Sequence, residues 1–148
     1  MSNTRLLFEE LNIGDEEVSV GRTITETDVV NFAGLSADFN ALHTDAEFAK
    51  KTIFGARVAH GMCTSSIASG LWFTMPRLAT MAFLGLDNWK FVKPVMFGDT
   101  IKVKRKVAEK KETKPDRGIV TFDIQVVNQN DVVVQEGQWL MLVQRRKA

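Results

Sequence analysis

The sequence predicts an α+β fold, with an antiparallel sheet packed on one buried helix. Two observations carry this. Residues 62–72, from Met62 through Cys63, Ile67, Ala68, Ser69, Gly70 and Leu71 to Trp72, are small or apolar and show no strand alternation. A helix that is apolar nearly all round is a buried helix. After Thr80 the texture changes to segments in which apolar and polar residues alternate, the period of strands with one wet face. One buried helix followed by a run of strands fits α+β. The chain of 148 residues is most simply one domain, 1–148, large enough for a core.

The elements follow in order. A lead-in to Gly21 holds a short strand near 17–21. Thr25-Glu26-Thr27-Asp28 resembles a capping box with Asp in the place of Glu, and Val29, Val30, Phe32 and Ala33 follow. This predicts a short helix ending at Gly34. Thr44-Asp45-Ala46-Glu47 is a fuller capping box and opens a second short helix to Lys50 or Lys51. The apolar helix begins after His60-Gly61 and stops at Pro76. A strand is expected over 82–92. Ile101, Val103 and Val107 alternate with Lys102, Lys104 and Lys106. Residues 115–118 form a turn, and Val120, Phe122, Ile124 and Val126 alternate with polar partners. A second turn, 128–131, leads to a last strand with Val133, Gln135, Gly137, Trp139, Met141 and Val143 on one face, where Gly137 marks a bulge.

Bulk properties exclude several function classes. The net charge of +1 gives no reason to expect nucleic acid as a partner. No apolar run reaches membrane-span length, and the first residues, Met-Ser-Asn-Thr-Arg, lack a signal-peptide core, so a cytoplasmic protein without membrane association is expected. One cysteine, Cys63, cannot build a disulfide framework or a cysteine-rich zinc site, and suits a reducing compartment. Two histidines, His43 and His60, do not suggest a histidine-rich metal site. No phosphate-binding glycine loop is present, and no cofactor is expected.

The chemistry concentrates in 31–45. Asp38, Asn40 and His43 fall within six positions, in a stretch whose Gly34, Ser36 and Asn40 favour turns. On a continuous helix, Asp38 and His43 would face well apart, since five residues make about 1.4 turns. An irregular loop can fold them toward one point, where a carboxylate and an imidazole sharing one water could take and deliver a proton. The bland alternative is a turn-capping Asp and a surface His.

The wider pattern resembles the hydratase motif of the MaoC-like, (R)-specific enoyl-CoA hydratase family, an aromatic residue followed by Asp-x-Asn-Pro-Leu-His. Phe32, Ser36, Asp38, Asn40, Leu42 and His43 match, and Ala41 stands where the family has proline. Phe91-Val-Lys-Pro94-Val95-Met-Phe-Gly98-Asp99-Thr100 is similar to a second segment common in this family. The resemblance implies a hot-dog fold, a sheet wrapped around one long central helix. It implies hydration of a trans-2-enoyl-CoA to a (R)-3-hydroxyacyl-CoA, or the reverse, by Asp38 and His43 acting on one water. It also implies an acyl-CoA thioester partner and a homodimer, or an assembly of dimers, with the substrate channel along the subunit interface.

Three further residues are expected at the substrate. Gly61 opens the central helix, and unpaired N–H groups at a helix start can polarise a carbonyl; in the resembling family the matching His-Gly segment supplies this donor. The alternative is a glycine that only relieves crowding. Asn40 either orients the water or braces the loop through an Asx-turn. Ser69 falls where the family has a serine near the active site, and otherwise serves tight packing. His60 is expected to brace a buried loop, and Cys63 to be an inert buried thiol. The Lys102–Lys111 stretch, Arg105 included, reads as a solvated face, with CoA phosphates as the alternative partner. Trp72, Phe73, Met75, Met81, Phe83 and Trp89 either line a pocket or fill the core. Two other functions stand beside hydration: a hot-dog acyl-CoA thioesterase and a non-catalytic acyl-CoA-binding subunit. Intact Asp38 and His43 favour the hydratase.

Overall fold

Four long strands dominate the computed structural model, which describes residues 5–146; residues 1–4, read above for a targeting signal, lie outside them. They are β3 (Thr80–Phe91), β4 (Thr100–Lys114), β5 (Arg117–Val127) and β6 (Val133–Gln144). With β1 (Glu16–Val18) they form an antiparallel sheet in the order β1-β4-β5-β6-β3, and β2 (Arg22–Thr23) also pairs with β4. The alternation read from the sequence decides which face is dry. Ile101, Val103 and Val107 of β4, Val120, Phe122, Ile124 and Val126 of β5, and Trp139, Met141 and Val143 of β6 are buried together with Ala68, Leu71 and Trp72. Each large apolar side chain buried this way stabilises the fold by roughly 1.5–3 kcal/mol. The helix they pack on is α4 (Gly61–Leu71), which continues as a 3-10 turn over Trp72–Thr74. A sheet folded on one central helix is the hot-dog arrangement. Among the described residues no helix is long and apolar enough to cross a membrane.

Several expectations are corrected by the structure. β4 runs on to Lys114, beyond the alternation that ends at Val107, because its pairing with β5 continues past a register shift between Val107 and Glu109. The hairpin is tighter than 115–118: only Pro115 and Asp116 lie between the strands. Gly118 belongs to β5, where a Cβ would sit 2.5 Å from the Phe8 ring. The bulge expected at Gly137 lies on the partner strand. The β3–β6 register shifts between Asp87 and Lys90, whereas Gly137 stays opposite Ile124. Gly137 instead makes room for Trp89, whose atoms approach to 2.8 Å of where a Cβ would be.

Arg105 does not share the wet face of its lysine neighbours. It is 2% exposed and shares the parity of Val103 and Val107. Its guanidinium lies 4.4 Å from the Trp72 ring centre, pairs with Glu17 and donates to the Pro76 carbonyl at 2.8 Å. Burial pushes the Arg105 pKa down, and Glu17 opposes that. The central helix is also less enclosed than its composition implies. Thr64, Ser65, Ala68 and Leu71 are buried, but Met62, Ser66, Ser69 and Phe73 form an exposed stripe. Among the remaining aromatic and Met candidates, Trp72 and Met75 belong to the core, Trp89 packs partly against it, and Met81 and Phe83 are exposed.

Candidate active site

The motif region is carried by three short helices, the first of which packs against α4. α1 (Glu26–Ser36) starts with the expected capping box: Asp28 N–H donates to the Thr25 hydroxyl, and Thr25 N–H donates to the Asp28 carboxylate at 2.8 Å. The helix passes through Gly34 and ends two residues later. Ala37 then takes a left-handed backbone, φ 60°, which breaks the helix and starts the turn carrying Asp38. α2 (Ala41–Thr44) is capped by Asn40, whose side-chain oxygen accepts from Leu42 N–H at 2.9 Å. α3 (Ala46–Ala49) is capped by Asp45 through Glu47 and Phe48 N–H, not by Thr44 as expected. The Thr44 hydroxyl is instead spent on the carbonyls of Phe39 and Asn40. Ala41 fits as the first helical residue of α2, a position where proline is also welcome.

These turns place Asp38 and His43 together. An Asp38 carboxylate oxygen, a His43 ring nitrogen and a His60 ring nitrogen all lie within 4.8 Å of one another. One water bridges a gap of that size, since each of its hydrogen bonds spans about 2.7–3.2 Å. Asp38 is exposed and its Oδ1 accepts from Asn40 N–H at 3.2 Å. His43 is half-buried, and its Nδ1 lies 2.7 Å from the Val58 carbonyl. A carbonyl only accepts, so Nδ1 carries the proton in the neutral ring, and the lone pair is on Nε2.

His60 braces the site from beneath. It is 3% exposed, and its Nε2 donates to the Asp38 main-chain carbonyl at 2.9 Å. Its ring stacks on His43 with centroids 3.8 Å apart, and the Phe32 ring lies tilted against it with centroids 5.1 Å apart. Each imidazole thus already spends one nitrogen on a backbone carbonyl. The two histidines and the carboxylate do converge, a grouping that composition alone gave no reason to expect.

Gly61 is the first residue of α4. The first α4-type bond here is Thr64 N–H to His60 carbonyl, and among the described residues no acceptor engages the N–H groups of Gly61, Met62 or Cys63. Phe91 packs directly over Gly61, where a Cβ would lie 2.7 Å from its ring. Beside this helix start is a cavity of about 440 Å3 lined by His43, Phe54, Val58, Gly61, Phe91, Val95 and Gln135 among others. Asp38 stands outside that lining. The second motif segment frames the same cavity: Val95 carbonyl accepts from Ala59 N–H at 2.8 Å, and Asp99 with Gly98 at φ 91° closes the turn through Met96 N–H. Its Gly-Asp pair therefore shapes the chain and does not reach the cavity.

Ser69 is not brought to this group. It is exposed on α4, and its hydroxyl donates to the Ser66 carbonyl at 2.7 Å. Asn40 is at the site, spent as a helix cap. Lys104 and Lys106 of β4 face a separate groove of about 590 Å3 that runs across the sheet from β1 to β3, where Lys106 pairs with Glu16. Cys63 is buried; desolvation and then the Asp28 charge push its thiol pKa up, as suits an inert thiol.

A family model described as "MaoC like domain" matches residues 11–130. The chain belongs to the MaoC-like domain family. It is 42% identical over 113 residues to "Protein MaoC" of Klebsiella aerogenes, covering 76% of this chain but 33% of that protein, so it spans about a third of that relative's length. It is 33% identical over 140 residues to the (R)-specific enoyl-CoA hydratase of Rhodospirillum rubrum, covering 94% of this chain and 92% of that one. The X-ray structure of a protein from Archaeoglobus fulgius called monoamine oxidase regulatory protein superposes with a TM-score of 0.91 at 38% identity, covering 99% of both chains.

Within this MaoC-like site, reading the sequence missed Gln135 and Ser65. Gln135 is 2% exposed, and its amide reaches the carbonyl of Gly61 at 2.9 Å and the hydroxyl of Ser65 at 2.7 Å. The signal was present: Gln135 is the polar member of an otherwise apolar inward series on the last strand.

Proposed function

We propose that this MaoC-like chain, acting as one hot-dog domain, adds water to a trans-2-enoyl thioester, or removes it from the (R)-3-hydroxyacyl thioester. The observation that carries the reading is the Asp38 carboxylate and His43 imidazole converging to within 4.8 Å beside a helix start with free N–H groups. The thioester carbonyl lies at the Gly61 N–H, and the enoyl chain enters the cavity. The bridging water gives a proton to one member of the pair as its oxygen bonds to C3. Electrons of the double bond move toward the carbonyl, whose growing negative charge the helix start stabilises. The pair delivers a proton to C2, so one water is added and both side chains return to their starting forms. The relative from Rhodospirillum rubrum named (R)-specific enoyl-CoA hydratase supports this assignment.

The functional unit in this proposal is a homodimer. β3 is an edge strand with Met81, Phe83, Leu84 and Leu86 exposed, and the naked stripe of α4 adds Met62 and Phe73. Unpaired strand edges and contiguous apolar surface favour association. Ser69 lies on that stripe, where a second copy would cover it.

Crotonyl-CoA tests the reaction. Loss of conjugated enoyl absorbance without release of free thiol is the expected result. Thiol release would instead identify a thioesterase, and no change with crotonyl-CoA or longer enoyl-CoAs would leave a binding subunit.

A further inference from the structure

A buried polar chain connects the sheet to the first turn of the central helix. Trp89 of β3 has only a donor, and its Nε1 lies 3.3 Å from the Ser65 hydroxyl, which must therefore accept. The single Ser65 proton has two candidate acceptors: the Gln135 side-chain oxygen at 2.7 Å and the Gly61 carbonyl at 3.2 Å. The shorter contact takes it. That fixes the orientation of the Gln135 amide, whose Nε2 then donates to the Gly61 carbonyl at 2.9 Å. Every bond in the chain points the same way, toward Gly61, and hydrogen bonds in series polarise one another. Gln135 is 2% exposed and Ser65 8%, so little water competes.

Burying a glutamine costs free energy unless its groups are paired. An apolar residue at 135 would match Trp139, Met141 and Val143 on the same face. The pairing it makes instead is to one peptide, that between Gly61 and Met62. Glycine is the residue whose backbone is least self-determined. Fixing its carbonyl fixes the plane of that peptide. The N–H of the same peptide belongs to Met62 and, among the described residues, has no acceptor, like the neighbouring Gly61 N–H. Donation to the carbonyl also makes that N–H a stronger donor.

We propose that Gln135, oriented by Ser65 and Trp89, is a positioning residue that holds the first turn of α4 so that its free N–H groups polarise the thioester carbonyl. The inference rests on the thioester reading above and deepens it. Gln135 lines the cavity but acts through Gly61.

The test uses the full chain with an Asp38→Asn substitution to stop turnover, and crotonyl-CoA carrying 13C at the thioester carbonyl. Difference infrared spectroscopy reads the carbonyl stretch of bound ligand against free ligand. In the Asp38→Asn parent the stretch moves to lower frequency. Adding Gln135→Leu or Gln135→Glu removes at least half of that shift, because neither side chain donates from the right place. Ser65→Ala frees the amide to turn over and removes part of the shift; alanine suits a helix interior, so this variant keeps the fold. In otherwise native protein, Gln135→Leu lowers kcat about 10- to 100-fold, with KM within about twofold, as a small misplacement of catalytic groups does. A full carbonyl shift in both the Gln135 and Ser65 variants overturns the proposal, as does a change confined to melting temperature. Absence of any shift in the Asp38→Asn parent removes the thioester reading itself, and the positioning role with it.

Discussion

The contact between Gly61 and Phe91 gives a prediction with a built-in control. A Cβ at position 61 would stand 2.7 Å from two Phe91 ring atoms. Ordinary contact needs about 3.4 Å or more, so the ring or the helix start must move by roughly 0.7 Å. Phe91 is 54% exposed, so the ring can swing outward and the stability cost stays near the low end, about 1 kcal/mol. Part of that is offset, because alanine favours a helix over glycine by roughly 0.5–1 kcal/mol. The effect on turnover is larger, since a shift approaching 1 Å at a reacting centre can cost on the order of 10²-fold. Gly61→Ala is therefore expected to fold with a near-native melting temperature and to lose about 10- to 100-fold in kcat. In a Phe91→Ala background the steric cause is gone, and Gly61→Ala should match its Phe91→Ala parent within severalfold. Gly61→Pro in the same background should not. Proline is accepted at the first helical position, and His60 at φ −57°, ψ 137° already has the backbone a following proline requires. What proline removes is the N–H. Enoyl absorbance with crotonyl-CoA measures all four variants. Equal activity of the alanine and proline variants without the Phe91 ring would refute the Gly61 donor.

Other outcomes follow from the fold. Gly118→Ala should lower stability by about 1–3 kcal/mol in thermal or urea unfolding, since its Cβ meets both the Phe8 ring and the Lys111 carbonyl. The Asp28 carboxyl sits below its ordinary value: burial works to raise it, but the Thr25 N–H and Arg22 outweigh that. A depressed carboxylate stabilises the fold above its unfolded value and loses that contribution as pH falls through the folded value. Asp28→Asn should thus be less stable than the native chain at pH 7, with the gap closing as pH drops below the ordinary value of 3.8 in urea titrations. Analytical ultracentrifugation should find a dimer or larger at assay concentration, and a fully active monomer would refute the shared interface.

Much of this molecule was legible before its structure. Strand parity placed Phe122, Ile124, Trp139 and Met141 inward, because side chains of a strand alternate strictly. The same rule marked Arg105 and Gln135 as inward, but their polarity masked it; a charged or amide side chain is buried only when partners far along the chain receive it, and Glu17, Pro76 and Gly61 are far in sequence. The motif named Asp38 and His43, whereas the geometry joining them depends on the Ala37 left-handed turn and on His60, neither of which carries a periodic signal. The helix α4 read as buried on all sides because composition reports what a helix avoids, not which of its faces the sheet covers.

The central claim is that Asp38 and His43 share the proton work of one water. Asp38→Asn and His43→Ala, each with its folded fraction fixed by circular dichroism and melting temperature, test it most directly in crotonyl-CoA hydration. Both residues lie on the surface side of the core, so both variants should fold. Each variant is expected to lose roughly 10²–10⁴-fold in kcat/KM with no thiol release. A folded variant of either residue that hydrates crotonyl-CoA at near the native rate would contradict it.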